Sequence, residues 1–228
     1  MTMNVSFNAI QNVILIFPDE RPVFLREVNN NMYKVGPYFW AKIISEMPFS
    51  IVTPSIFGCI VYFSVGLNNN VGNFFLFLLT LILIYNASSG YSLIISSSFS
   101  DKQLAVTLTP VLIIPFMLFA GFFVASSSIP VFLKEFEYLS IFKYGYQALM
   151  RNQFKENNPS FNWCQYGVSN YPYPIDNNAT GGYGVGCSPL SQIAKQSYGS
   201  SLGCLAALYV GCYMLSWFIL GRLSKSYE

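Results

Sequence analysis

Histidine is absent from the 228 residues, which removes the commonest general base and the commonest metal ligand together. Charge is nearly as scarce. Only 10% of residues are Asp, Glu, Lys or Arg, against about 25% in an ordinary soluble domain, too few to cover a water-facing surface. A soluble enzyme is disfavoured on that ground. The 12 basic and 10 acidic side chains, net +2, lay down no electrostatic footprint for nucleic acid. A G-x-x-x-x-G-K-[ST] phosphate loop is missing too, and with it that route to ATP. Gly199-Ser200-Ser201-Leu202-Gly203 fits the G-x-S-x-G nucleophile pattern, but the usual base for the serine proton does not exist here. These residues read as small side chains at the start of a helix. Glu135, Glu137, Glu156 and Asp176 are not paired as a glycosidase pairs its acids. No catalytic residue and no metal site is assigned.

What is present is apolar: 53% hydrophobic residues, 18% aromatic, and a mean hydropathy of +0.43. That excess excludes intrinsic disorder. A membrane-spanning helix needs about 20 mostly apolar residues, so uncharged stretches locate the bilayer. Residues 1–18 carry no charge and end in Val13-Ile14-Leu15-Ile16-Phe17 before Pro18, the last part of a span taken as 1–17. Between Glu46 and Asp101 no residue is charged, and Asn68-Asn69-Asn70 with Gly72-Asn73 divides this stretch into spans at 37–66 and 74–97. A further span, 104–125, lies within the uncharged residues 103–133, and the last, 202–220, stops at Arg222. The expected fold is all-α, a multi-span helical membrane protein. Pro48, Pro54, Pro110 and Pro115 would kink spans whose freed carbonyls are satisfied by neighbours.

Short cytosolic loops retain Lys and Arg. Arg21, Arg26, Lys34 and Lys42 follow the first span, which places 18–36 in the cytosol. The Asn-rich turn is then external, Asp101-Lys102 cytosolic, 126–201 external and the Arg222/Lys225 tail cytosolic. Residues 126–201 contain five basic side chains of their own (Lys134, Lys143, Arg151, Lys155, Lys195), but long translocated segments are largely exempt from the charge rule. The external assignment agrees with Asn178-Ala179-Thr180, an acceptor sequon, lying between Cys164 and Cys187. A disulfide joining these two cysteines is expected, stabilising a Gly-rich loop by about 3 kcal/mol. Two free thiols and an unused sequon are the plainer alternative. Cys59, Cys204 and Cys212 lie within spans as small apolar fillers.

Polar residues also sit at membrane depth. Asn4, Asn8, Gln11 and Asn12 recur on the first span, and Asn86, Ser88 and Ser89 interrupt the third. Such side chains face a bundle interior or a cavity, with helix–helix hydrogen bonding the alternative. Phe7, three residues after Asn4, shares its face, a pairing suited to amphipathic cargo. From Phe132 to Phe154 apolar residues follow a roughly helical spacing among charges, an amphipathic pattern for helices dipping into the outer interface. The segment from Asp19 to Glu27 is the densest charge cluster. It reads by default as a solvated loop, or as a docking helix around Pro22-Val23-Phe24.

Several of these motifs together resemble a known family. E-R-P-V-F-L-R-E (20–27), Met32-Tyr33, Y-F-W-A-K-I-I-S-E-M-P (38–48), G-F-F-V (121–124) and Y-L-S-I-F-K-Y-G-Y-Q-A-L-M-R-N-Q-F (138–154) are similar, in order and spacing, to the membrane half of white-type, subfamily G ATP-binding cassette transporters. The resemblance runs to the C-terminus. It implies an ABC-2 type permease domain with re-entrant helices and a small extracellular lid, two copies of which enclose a lipid-facing cavity. By that resemblance Glu20, Arg21, Phe24, Arg26 and Glu27 belong to a coupling loop that receives cassette motion. Asn4 and Phe7, faced by Ile114 and Met117, line the cargo cavity, and Phe122 and Phe123 form an apolar exit gate where the family usually has a pair of smaller Leu residues, a departure that bears on the width of the exit and not on its existence. Residues 129–155 match the re-entrant helices, and Cys164, Asn178 and Cys187 match the lid's disulfide and glycan.

The family pattern also has a cassette, a connecting helix, a first span and the start of a second ahead of Met1, so a fragment or a truncated gene is expected. The chain would bind no cofactor itself; ATP and Mg belong to the nucleotide-binding domain. Whether it counts as an enzyme is thus left to the parent, an ATP-hydrolysing transporter. The implied function is export of lipids, sterols or amphipathic xenobiotics by alternating access. Implied partners are membrane lipids, the nucleotide-binding domain and a second half-transporter, identical or different, in the plasma membrane or an endomembrane, and no nucleic acid. The alternative is a non-transporting structural or receptor protein, or an inactive truncated transporter serving as a partner subunit. Deglycosylation of native membranes is expected to speed the immunoblotted band, and Asn178→Gln to abolish that shift. A wild-type band that does not shift would mean that the sequon is unused and would remove this support for the external assignment of residues 126–201.

Overall fold

The computed structural model describes residues 1–30, 32–67, 71–99, 101–118, 120, 138–153 and 198–226. Among these residues there are six helices and no strand: α1 Thr2–Asn29, α2 Val35–Val65, α3 Val71–Ser98, α4 Lys102–Leu118, α5 Ile141–Gln153 and α6 Tyr198–Ser226. Three of them, α2, α3 and α6 over Tyr198–Arg222, are long and apolar enough to cross a membrane. Their outward faces fit that reading, because large apolar side chains stay uncovered. Phe49 is 73% exposed and Phe63 72%, an apolar surface of a kind that soluble monomers rarely present.

α1 departs from the sequence reading. Pro18 does not stop it, and residues 18–29 are not a loop: the helix continues through Pro18 and Pro22 to Asn29. An interior proline costs a helix about 3 kcal/mol, so tertiary contacts on both sides must hold it straight enough to continue. Phe17 and Phe24 supply them. Both are buried in one cluster with Val13, Phe39, Leu93 and Leu220, drawn from α1, α2, α3 and α6. The docking-helix alternative for this charged stretch is the one the backbone adopts. By contrast α2 stops at a local signal, Gly66, whose φ of 66° suits a residue without Cβ. The Gly66 and Leu67 N–H groups both donate to the Tyr62 carbonyl.

α3 is the hub, with α1, α2, α5 and α6 packed around it. Its buried face includes Ala87, Ser88, Ser89, Gly90, Ser92, Ser96 and Ser97. Small residues let neighbouring backbones approach closely, the usual way helices associate in lipid. Ser92 Oγ reaches across to donate to the Ile10 carbonyl of α1 at 2.8 Å. At Gly90 a Cβ would lie 2.9 Å from Cys212 Cβ and 3.1 Å from the Tyr213 ring, so the α3–α6 crossing depends on glycine there.

α5 lies back along α3. Asn152 Nδ2 donates to the Asn73 carbonyl at 2.8 Å, Gly145 faces Ile84, and the Tyr91 hydroxyl donates to the Leu139 carbonyl just before α5. Ser140 Oγ donates to the Phe116 carbonyl at 2.7 Å, which ties the start of α5 to α4. This short amphipathic helix therefore occupies the same depth as the span beside it.

The glycines of α3 and α6 give a test with opposite signs. Gly90→Ala is expected to destabilise by about 1–3 kcal/mol through overpacking. Gly211→Ala, where an added Cβ meets nothing within 4 Å, is expected to stabilise by about 0.5–1 kcal/mol. Thermal unfolding of the detergent-solubilised variants measures both shifts.

Candidate functional site

The charged end of α1 is fastened to two neighbours. Lys42 of α2 bridges Glu20 of α1 and Glu46 one helical turn further along α2, the latter at 2.9 Å. The lysine side chain is only 11% exposed, and its Nζ lies 5.4 Å from the centre of the Phe17 ring, a cation–π distance. Lys102 at the start of α4 pairs with Asp19. At the same end Phe24 stacks on Tyr38 with ring centroids 4.2 Å apart, and Tyr33 stacks on Tyr38 at 5.9 Å. The Tyr33 hydroxyl donates to Glu27 Oε2. Burial, together with that carboxylate, raises the Tyr33 phenol above its ordinary range, so it stays a hydrogen-bond donor at any physiological pH.

The residues assigned to the coupling element therefore divide. Phe24 and Arg21 are buried, Glu20 and Glu27 are held by Lys42 and Tyr33, and Arg26 is exposed. Sequence reasoning missed Tyr33, Tyr38 and Lys42 as their partners, and the neighbouring Asp19–Lys102 pair. The available signal was positional: all lie within a few residues of a span's charged end, where opposite charges from successive helices meet.

The second group is on the flank where α1 meets α4. Ile10, Ile113, Ala120 and Phe142 form a small buried cluster, with Met3, Phe116 and Met117 packed against it. Met117 thus belongs to the contact between the two helices. Asn4 and Ile114 are exposed and Phe7 is half-buried, so these three face out from the joined pair. Asn8 does not bridge helices, since its Nδ2 donates to the Asn4 carbonyl one turn back at 3.0 Å. Asn12 does, donating to the Tyr85 hydroxyl of α3 at 3.0 Å. The assigned exit gate Phe122 and Phe123, and the lid residues Cys164, Asn178 and Cys187, lie outside the described residues.

Among the described residues no group of His, Cys, Asp and Glu could hold a metal. An open amide and aromatic face between two apolar helices can hold an amphipathic molecule by dispersion and one or two hydrogen bonds. It cannot do acid–base chemistry. This combination of bundled apolar helices, an uncovered outer belt and a charged clamp at one end is that of a membrane permease domain.

Comparison with known proteins agrees. Residues 1–154 match the family model described as ABC-2 type transporter, and the chain belongs to that family. Protein white of Ceratitis capitata is 37% identical over 161 residues, 71% of this chain and 24% of the relative. The ABC transporter ATP-binding protein/permease wht-1 of Caenorhabditis elegans is 37% identical over 158 residues, 66% of this chain and 24% of the relative. Over 98% of the chain, the broad substrate specificity ATP-binding cassette transporter ABCG2 of Bos taurus is 28% identical, covering 34% of that protein. The chain spans about a quarter of the length of the first of these relatives.

Removing either anchor of the clamp should be measurable. Phe24→Ala empties a site 1% exposed and is expected to cost about 3–5 kcal/mol. Lys42→Met, which frees two carboxylates that are partly solvated, is expected to cost about 1–2 kcal/mol, between the values for exposed and buried pairs. Chemical or thermal unfolding in detergent checks the order of the two.

Proposed function

We propose that the chain is the membrane-permease part of an ATP-driven, subfamily G exporter that moves lipids, sterols or amphipathic xenobiotics by alternating access. The observation that carries this reading is the continuity of α1. One helix of 28 residues, about 42 Å long at 1.5 Å per residue, bears Asn4 and Phe7 near one end and Glu20 to Glu27 at the other. A push on the charged end is then carried along a single rigid element to the face that holds cargo. Lys42 and Lys102 tie that end to α2 and α4, so the three helices would move together.

ATP and Mg would act in a nucleotide-binding domain, as the name of the wht-1 relative, an ATP-binding protein/permease, suggests. This chain supplies the other half of the work. With a second half-transporter, identical or different, the α1/α4 flanks would face each other and enclose Asn4, Phe7, Ile114 and Met117 from both sides. The cargo is apolar or amphipathic because those residues offer an amide, an aromatic ring, an aliphatic chain and a thioether but no charge. Outward release would pass Phe122 and Phe123 below the external lid.

In the full-length transporter, Asn4→Ala together with Phe7→Ala is expected to lower export of a fluorescent amphipathic cargo about tenfold, the loss of roughly 1.4 kcal/mol of binding. ATP hydrolysis in the absence of cargo should persist. Vesicle transport and hydrolysis assays run side by side read both quantities, and export left intact by the double variant would remove the reading.

A further inference from the structure

α1 and α2 both lean on α3 but hardly on each other. They diverge from the Lys42–Glu20 ion pair, and the cleft between them holds a cavity of about 270 Å³. α3 forms its back wall with Tyr85, Asn86 and Ser89, and Tyr213 of α6 closes one side. This is the opposite flank of α1 from Asn4 and Phe7. The mouth is apolar, edged by Ile16, Met47 and Phe49, all exposed on the belt that faces lipid.

The interior carries charge of one sign, that of Glu46, beside the amides of Asn12 and Asn86 and the hydroxyls of Thr53, Tyr85 and Tyr213. Asn12 uses its Nδ2 on Tyr85 and Asn86 uses its Nδ2 on the Ile82 carbonyl, which leaves both Oδ1 atoms receiving no hydrogen bond from the described residues. Glu46 gives one oxygen to Lys42, a cation it shares with Glu20, and its other oxygen receives no hydrogen bond from the described residues. Two amides and one carboxylate thus line one cavity. An ammonium head presents three N–H donors and no acceptor, and polar groups at membrane depth mark functional sites by default.

We propose that this cleft is a lateral binding site for one primary-amine amphiphile, which enters from the lipid between α1 and α2. The ammonium sits among Asn12, Asn86 and Glu46, and the alkyl chain leaves through the apolar mouth. Occupation wedges α1 away from α2 next to the clamp, so the site acts on the helix that carries motion rather than on the cargo face. The inference is independent of the cargo cavity.

The test uses the full-length protein in lipid nanodiscs and three photoreactive probes of equal chain length: hexadecylamine, hexadecanol and palmitic acid, each with a diazirine next to the head. The amine is expected to label peptides of α1 and α2 that line the cleft. Labelling by the alcohol and the acid should be at least about tenfold weaker, the factor one charge-assisted contact supplies. Glu46→Gln should remove the preference for the amine. Thr53→Trp, which fills the cleft from its exposed rim and leaves the ion pair intact, should abolish labelling by all three. Size-exclusion retention of each variant reports folding independently. Equal labelling by the three heads, labelling that survives Thr53→Trp, or no label in the cleft because a preceding segment of the longer protein covers it would each overturn the proposal. Failure here leaves export by the Asn4/Phe7 face untouched, and loss of that export leaves the labelling untouched.

Discussion

Four helices can stand against α3 because the face it offers them is built from residues too small to hold them apart. In lipid there is no hydrophobic drive to bring one apolar helix to another, so close backbone approach and interhelical hydrogen bonds carry the association. Gly90 sets the distance to α6, and Ser92 reaches the α1 backbone across the gap that small side chains leave. Large side chains at these positions would separate α3 from the helices that bear the clamp, the Asn4/Phe7 face and the cleft. All three features are placed by their distance from this one helix.

The charged clamp follows a different rule. At the end of the spans, where water returns, opposite charges from α1, α2 and α4 meet over an aromatic stack of Phe24, Tyr38 and Tyr33. Stacking and burial hold the position, and the ion pairs add register. The result is that a helix with two internal prolines stays in one piece. Its two flanks are then chemically distinct: one joined to α4 and bearing Asn4 and Phe7, the other open toward α2 and bearing Asn12 and Ile16.

Much of the architecture was legible from residue type alone. The uncharged stretches around α2, α3 and α6 gave their presence and approximate ends, because a bilayer imposes length and polarity on any segment inside it. The motif order from Glu20 to Phe154 pointed to the family that the comparisons show. What misled was Pro18. Its local preference is to end a helix, and nothing nearby in the chain reveals that Phe17 and Phe24 will share a cluster with Phe39, Leu93 and Leu220.

Composition and charge spacing alone made this an apolar, all-helical membrane domain, since both follow directly from the solvent around each segment. Packing, by contrast, settled which flank of α1 meets which helix, that Lys42 serves two carboxylates, and that Asn12, Asn86 and Glu46 line one cleft. The cleft joins side chains 34 to 74 positions apart along the chain, and Lys42 reaches Glu20 from 22 positions away. No local propensity encodes such pairings; packing around α3 creates them.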